Sequence, residues 1–219
     1  MIIVEHNSGV FGILEYKSMK KRLAVLASGR GSNFQAVIEA IQDGKIPATC
    51  VALITDNPKA YAIERARNAK IPVVIIDYSM FPSRELYECA LLSAMQKTEA
   101  DLFVLAGYMR IIGAAIVRSF PGKMVNIHPA LLPSFTGLHA QRQAVQYGVK
   151  VSGCTVHFVD ESLDGGPIIL QHCVAVQEGD DEDLLAERIL KYEHECFSEA
   201  IKLFCEDRLE IVGRTVRIR

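Results

Sequence analysis

The sequence predicts an α/β fold: a single, doubly wound and mostly parallel sheet with an antiparallel β extension towards the C-terminus. Short apolar runs alternate with segments of helical spacing from Leu23 to His128, which is typical of a parallel sheet covered by helices. Beyond Gly137 two β runs lie close together in the sequence, and this favours antiparallel pairing. Half of the 219 residues are hydrophobic, which suits one domain with a full core.

Five strands and four helices are predicted in the first part of the chain. Each strand is a short apolar run that ends in a turn, and each helix shows apolar spacing or end signals. The predicted strands are residues 23–27, 51–55, 73–76, 102–106 and 125–128, and the predicted helices are residues 34–41, 63–69, 83–97 and 114–120.

The second part of the chain predicts a helix at residues 139–147, β runs at 154–159 and 168–176, and a long amphipathic helix. Aspartates open this last helix, and its apolar face carries Leu185, Ile189, Phe197, Ile201 and Phe204. We see no repeat or linker and expect residues 19–219 to form a single domain. Residues 1–18 are a poor signal peptide, and we expect them to be an N-terminal extension.

Composition excludes several classes of function. The net charge of −2 and pI near 6.3 give no basic excess, so a nucleic-acid partner is not expected. No apolar run has the length needed to span a bilayer, so a membrane partner is not expected either. The six cysteines form no Cys-x-x-Cys pair, which argues against a zinc knuckle and indicates a reducing, cytoplasmic location.

A glycine-rich turn, Ser28-Gly-Arg-Gly-Ser-Asn33, follows the first strand and precedes a helix. This arrangement points free backbone N–H groups at an anion. Phe34 stands where a dinucleotide fingerprint would have its third glycine, and no Lys-Ser/Thr pair closes the turn. A single phosphate is therefore favoured over a dinucleotide, and an ordinary turn with a helix cap is the alternative.

Two polar residues interrupt the fifth predicted strand. Asn126 and His128 are two apart, so their side chains leave the same face, and Pro129 ends the strand. This is the carboxyl end of a strand, where α/β sheets bind ligands. The alternative is that both are satisfied polar residues of the core.

Asp164 precedes Gly165, and the residues alone favour an ordinary Asp-Gly turn there.

Four motifs together resemble the phosphoribosylglycinamide formyltransferase family. They are Ser28–Asn33, Asn126-Ile-His-Pro-Ala-Leu-Leu-Pro133, Gly153-Cys-Thr-Val-His-Phe-Val-Asp160 and Leu163-Asp-Gly-Gly-Pro167, and the resemblance runs from about Lys20 to the C-terminus. It implies the formyltransferase fold, a role in purine synthesis, and formyl transfer from 10-formyltetrahydrofolate to the amine of glycinamide ribonucleotide. The expected partners are these two small molecules, and the expected assembly is a monomer or homodimer.

The same resemblance assigns residues to roles. Asn126, His128 and Asp164 match the catalytic trio. The positions implied for the ribonucleotide are Gly31, Ser32, Asn33, Phe34, Gln35 and Glu193, and those implied for the folate are Arg84, Met109, Arg110, Ile111, Ile112 and Asn126. By its residue type and place, Arg84 would otherwise be a solvated surface charge.

The chemistry of formyl transfer agrees with this trio. The reaction passes through a tetrahedral adduct bearing an oxyanion, so the site needs donors such as an amide and an imidazole. A carboxylate near the histidine favours the imidazolium. No metal is required, and His128, His139 and His157 lack the spacing of metal ligands. His139 and His157 have two possible roles: they orient groups near the site, or they are surface or satisfied histidines, and we expect the second.

Three alternatives remain at this point. A 10-formyltetrahydrofolate hydrolase would be expected to carry an extra N-terminal regulatory domain, and about twenty residues precede the first strand here. A methionyl-tRNA formyltransferase would be expected to carry a further basic domain after the catalytic one, and this chain stops at Arg219. A non-catalytic nucleotide-binding module would be expected to lack one member of the trio, and all three are present.

Overall fold

The computed structural model describes residues 20–219, in which nine strands form one mixed sheet in the order β3-β2-β1-β4-β5-β6-β7-β9-β8. In the first part of the chain these elements are β1 (Lys21–Leu26), α1 (Ser32–Gln42), β2 (Ala48–Thr55), α2 (Ala62–Asn68), β3 (Val73–Ile75), a 3₁₀ turn (Tyr78–Met80), α3 (Arg84–Thr98), β4 (Leu102–Leu105), α4 (Ala114–Ser119) and β5 (Met124–His128). The expected extension at residues 1–18 lies outside the described residues.

The second part contributes α5 (Ala140–Tyr147), β6 (Val151–Phe158), β7 (Ile168–Ala175), α6 (Glu182–Cys205), β8 (Leu209–Val212) and β9 (Thr215–Ile218). Strands β1 to β5 pair in parallel, whereas β6 is antiparallel to β5 and to β7. The predicted fold class is therefore confirmed.

The strands alternate between two hydrophobic clusters on opposite faces of the sheet. In β1, Leu23 and Val25 face the cluster that includes α1, α2 and α6, while Ala24 and Leu26 face the cluster that includes α3 and α4. All four side chains are fully buried. Since both faces are covered, the parallel strands are continuous apolar runs. The predicted apolar face of α6 is confirmed, with Phe204 at its half-buried end.

One part of the sheet differs from the prediction. The hairpin β8–β9 at the sheet edge was not predicted, because each of its strands has only four residues and is largely exposed. Strand β6 also begins at Val151, ahead of the predicted start at Cys154. Neither difference affects the parallel strands β1 to β5.

The strand order places three loops along one edge of the sheet. The sheet continues from β1 to β2 on one side and to β4 on the other, so the loops that follow β1 and β4 leave in different directions and open a crevice. The glycine-rich turn follows β1, residues 106–113 follow β4, and the Pro129 loop follows β5 next to them. Within residues 20–219, no helix is long and apolar enough to cross a membrane.

Candidate active site

Four polar side chains share one face where β5 meets β6. Asn126 pairs with His157 and His128 pairs with Thr155 in the antiparallel register. Directly opposed residues of an antiparallel pair project to the same side, so all four lie on one patch. His128, Thr155 and His157 are buried, and Asn126 is half-buried. This confirms the prediction that the side chains of Asn126 and His128 lie on the same face.

The ring of His157 is hydrogen-bonded at both nitrogens. Its Nδ1 lies 2.9 Å from the carbonyl oxygen of Phe158, which can only accept, so Nδ1 carries the hydrogen. Its Nε2 lies 3.2 Å from Nδ2 of Asn126 and accepts one amide hydrogen. Burial lowers the pKa of His157, against the opposing effects of the Phe158 bond and the Asp164 charge, so the ring is neutral. The second Asn126 N–H is left to donate elsewhere.

The ring of His128 has the opposite arrangement. Its Nε2 donates to the carbonyl oxygen of Phe135 over 2.8 Å. Its Nδ1 faces the carboxylate of Asp164, with 3.5 Å between Nδ1 and Oδ2. Because Nε2 keeps its hydrogen for the carbonyl, Nδ1 is the atom that gains or loses a proton.

Asp164 is held in place by the loop that follows β5. Its Oδ2 accepts from the N–H of Gly137 over 2.7 Å, and its Oδ1 lies 3.9 Å from Nε2 of His157. The backbone at Asp164 has φ of 50°, a left-handed conformation that Asp and Asn tolerate better than most residues. The structure thus brings together the three residues predicted as catalytic.

The loop after β5 is tied down by residues that sequence reasoning missed. Thr155 Oγ1 accepts from the N–H of Leu132 and donates to the carbonyl of Ala130, at 3.0 and 2.7 Å. The Gln171 amide donates to the Leu132 carbonyl over 2.9 Å. His157 was expected to be a satisfied histidine, and it is, but it also orients Asn126. The sequence signal for these residues was that Thr155 and His157 alternate along β6. Their roles become clear only from the strand register, which sets them opposite His128 and Asn126.

The glycine-rich turn has the geometry of an anion site. Gly31 has φ of 67°, no side chain caps α1, and the first N–H groups of a helix have no partner within it. The turn also contacts the loop after β4: Ser28 N–H donates to the Gly107 carbonyl over 3.1 Å, and Met109 N–H donates to Ser28 Oγ over 2.9 Å. The two loops therefore form one continuous wall.

The residues assigned to the ribonucleotide are brought together with one qualification. Asn33 Nδ2 donates to Oε2 of Glu193 over 2.8 Å, and both side chains are buried. Burial raises the pKa of Glu193, opposed by this hydrogen bond. Ser32 and Gln35 are half-buried. The side chain of Phe34 is fully buried in the core, so only its backbone N–H can serve a ligand.

The residues assigned to the folate lie along the loop after β4. Met109 and Ile111 are 60% and 63% exposed, as an apolar wall requires, whereas the side chain of Ile112 packs into the core, so that residue can serve a ligand only through its backbone. Arg84 pairs with Glu88 over 2.6 Å and reaches the Ile111 carbonyl at 3.4 Å. Arg110 pairs with buried Asp56 over 2.9 Å.

Two further expectations concern the histidines and metals. The side chain of His139 is 60% exposed and pairs with Glu182, so it is a surface histidine as expected. Among residues 20–219, no group of three His, Cys, Asp or Glu side chains is placed to hold a metal ion.

Comparison with known proteins identifies the family. The profile of the formyl transferase family matches residues 21–201. This chain belongs to the formyl transferase family. The phosphoribosylglycinamide formyltransferases of Escherichia coli and Bacillus subtilis are 42% and 41% identical to this formyl transferase, over 86% and 83% of it and 89% and 93% of their own lengths.

Further matches are a longer relative and two solved structures. A trifunctional purine biosynthetic protein, adenosine-3, of Drosophila melanogaster is 47% identical over 84% of this chain, which spans 14% of that relative's length. The crystal structure of glycinamide ribonucleotide transformylase 1 from Symbiobacterium toebii matches with a TM-score of 0.91 and 47% identity, over 94% of this chain and 98% of that one. A formyltetrahydrofolate deformylase from Pseudomonas syringae matches with a TM-score of 0.85 and 25% identity, over 92% of this chain and 66% of that one.

Proposed function

We propose that this formyl transferase moves the formyl group of 10-formyltetrahydrofolate to the amine of glycinamide ribonucleotide, in purine synthesis. The observation that carries the proposal is the grouping of Asn126, His128 and Asp164 at the same edge of the sheet as an uncapped helix start at Gly31. The bacterial phosphoribosylglycinamide formyltransferases, which this chain matches over most of their lengths, support it.

The folate supplies the formyl group, and the exposed apolar side chains of Met109 and Ile111 suit its flat ring. The Asn126 amide is oriented by neutral His157, so its free N–H donates to the negative charge that develops on the formyl oxygen. A fixed donor of this kind contributes about 10²–10³-fold to turnover. His157 acts on the reaction through Asn126, as a positioning residue.

We assign proton transfer to Nδ1 of His128. The Phe135 carbonyl fixes the ring, and the Asp164 carboxylate stabilises the charged form when Nδ1 takes a proton from the attacking amine. As the amine nitrogen bonds to the formyl carbon, the bond between that carbon and the folate nitrogen breaks, and His128 returns the proton to this nitrogen so that tetrahydrofolate leaves. The 3.5 Å between Nδ1 and Oδ2 is longer than a strong hydrogen bond, which leaves Nδ1 open to a reacting group. Asp164 therefore supports the histidine without taking its proton.

The two substrates would occupy the two ends of the wall formed by the glycine-rich turn and the loop after β4. We assign the phosphate of the ribonucleotide to the N–H groups of Ser32, Asn33 and Phe34 at the start of α1. We assign a ribose hydroxyl to the Glu193 carboxylate, and the folate to residues 109–112 with Arg84.

We further propose a cytoplasmic location and a monomeric or homodimeric state. All six cysteines are free in the described part of the chain, as expected in a reducing compartment. Sedimentation equilibrium measures the assembly directly, and a state larger than a dimer would contradict the proposal.

The decisive test is an absorbance assay for loss of the formyl group from 10-formyltetrahydrofolate, with and without glycinamide ribonucleotide. We expect turnover only when the ribonucleotide is present, and formation of the formylated ribonucleotide in equal amount. Loss of the formyl group at the same rate without the ribonucleotide would indicate a hydrolase instead. His128→Asn, purified in the same way, controls for contaminating activity.

A further inference from the structure

Arg65 on helix α2 bridges the two ends of the glycine-rich turn. Its Nε donates to the carbonyl oxygen of Arg30 over 2.8 Å, and its Nη1 donates to Oε1 of Gln35 over 3.0 Å. One planar guanidinium therefore holds the residue before Gly31 and a residue in the first turn of α1. A guanidinium can make two such bonds in fixed directions, whereas an ammonium cannot.

The backbone of α2 packs equally tightly against the same turn. The N–H of Ala62 donates to the carbonyl of Gly29 over 3.1 Å. A Cβ built on Gly31 would lie 2.8 Å from the Cβ of Ala62, closer than real Cβ atoms approach other atoms. The turn is thus packed closely against α2, and the two hydrogen bonds of Arg65 hold it there.

Arg65 makes no ion pair within residues 20–219. Its guanidinium contacts there a carbonyl, a neutral amide and the ring of Tyr61, whose centroid lies 5.1 Å from Cζ. Arg67, on the same helix, pairs with Glu64 over 2.5 Å and is exposed. The positive charge of Arg65 also affects His194. Burial is the main cause that lowers the pKa of His194, Arg65 lowers it further, and Glu39 opposes both.

We propose that Arg65 is a positioning residue for the phosphate of the ribonucleotide, acting through the turn that it bridges; this rests on the proposed function. Its two hydrogen bonds fix the direction of the N–H groups at the start of α1, and its unpaired charge adds to the positive end of the helix dipole. Neither the residue pattern nor the family resemblance assigns it a role. It touches the turn and not the reacting atoms, so it affects binding of one substrate only.

The first test compares Arg65→Met with Arg67→Met, its matched control on the same helix. We expect Arg65→Met to raise the Michaelis constant for the ribonucleotide about tenfold, while kcat and the Michaelis constant for the folate stay within about twofold. Arg67→Met should leave all three constants within about twofold. Equal losses in the two variants, or an equal rise in both Michaelis constants for Arg65→Met, would overturn the proposal.

Arg65→Lys removes the fixed pair of hydrogen bonds but keeps the positive charge. This variant also provides the test if Arg65→Met does not fold. Lysine keeps the charge but cannot hold both acceptors in fixed geometry, so we expect about a threefold rise in the Michaelis constant for the ribonucleotide. Wild-type values for Arg65→Lys would contradict the bridging role.

Titration calorimetry with ribose 5-phosphate distinguishes this inference from the proposed function. Wild-type protein should bind this probe, and Arg65→Met should bind it about tenfold more weakly, whether or not formyl transfer is observed. Equal affinity in both proteins would overturn the role of Arg65. Absent turnover together with Arg65-dependent binding would overturn the proposed function and leave the role of Arg65 supported.

Discussion

Two neighbouring histidines lie in one site, but they differ in their ability to exchange a proton with a substrate. The difference comes from the group that contacts the second nitrogen of each ring. Each ring gives one hydrogen to a backbone carbonyl, at Phe158 for His157 and at Phe135 for His128. The remaining nitrogen of His157 is occupied by the Asn126 amide, whereas that of His128 faces Asp164. Only His128 therefore has a nitrogen free to exchange a proton with a substrate.

Asp164→Asn tests this division of roles. The change removes the charge and keeps nearly the same shape, and Asn tolerates the left-handed backbone at this position. We expect turnover to fall by about 10²–10⁴-fold, as for other acid–base contributions, with little change in substrate affinity. Steady-state kinetics with both substrates, together with thermal denaturation, measure these effects.

Asp160→Asn is the matched control for that variant. Asp160 carries the same charge in the segment between β6 and β7, and its carboxylate accepts from the N–H of Ser162 over 2.9 Å. We expect its turnover to stay within about threefold of wild type, since local turn contacts make small contributions. Near-normal turnover for Asp164→Asn would show that Asp164 is an ordinary turn residue.

Arg84→Ala tests the folate side of the site. The guanidinium pairs with Glu88, which offsets part of its charge, and it reaches the Ile111 carbonyl. We expect weaker folate binding that is also less sensitive to salt, because an exposed charge is screened by ions. Binding titrations at low and high ionic strength measure both quantities. Unchanged affinity and salt dependence would leave Arg84 as a surface charge.

At the scale of an element, the turn between β1 and α1 depends on one of its two glycines. Gly31 has φ of 67° and a Cβ there would meet Ala62, whereas a Cβ on Gly29 would meet no atom within 4 Å. Left-handed geometry costs a residue with a Cβ about 1–2 kcal/mol. The turn therefore requires glycine at position 31 and tolerates alanine at position 29.

The pair Gly31→Ala and Gly29→Ala tests this element. We expect Gly31→Ala to raise the Michaelis constant for the ribonucleotide far more than that for the folate, and to lower the melting temperature. Gly29→Ala should stay close to wild type in all three measurements. The assignment fails if Gly31→Ala affects both Michaelis constants equally, or if the two variants behave alike.

The elements show which features a sequence can predict. Strands β1 to β5 were predicted because each is a local apolar run bounded by turns, and a buried parallel strand needs no other signal. The hairpin β8–β9 was missed because it is exposed and short, and its place is set by contact with β7. Local patterns thus predict the interior of the sheet better than its edge.

At the scale of the whole molecule, the site depends on pairings that no local pattern contains. The trio was predicted from motifs, but the role of His157 follows from the register that sets it opposite Asn126. Arg65 likewise lies far in sequence from the turn it bridges. Residues that support others across the fold are therefore the ones that sequence reasoning misses.

The stability of the whole molecule should depend on pH through its buried ionisable groups. Burial lowers the pKa of His157 and of His194 in the folded protein from 6.5. As pH falls through about 6.5, the unfolded chain therefore takes up protons that the folded protein does not, and the free energy of unfolding decreases. Glu193 acts in the opposite direction: burial raises its pKa above 4.5, so its contribution favours the folded state as pH falls.

The two directions can be separated with two variants. His157→Gln keeps an amide that can donate to the Phe158 carbonyl and accept from Asn126, but it does not titrate. We expect the melting temperature of wild-type protein to fall between pH 7.5 and pH 5.5, and that of His157→Gln to fall less. As the pH falls towards 4.5, Glu193→Gln should lose more stability than wild type, because the carboxyl whose pKa burial raises is removed. An identical pH dependence in wild type and His157→Gln would show that His157 is not a source of the acid sensitivity.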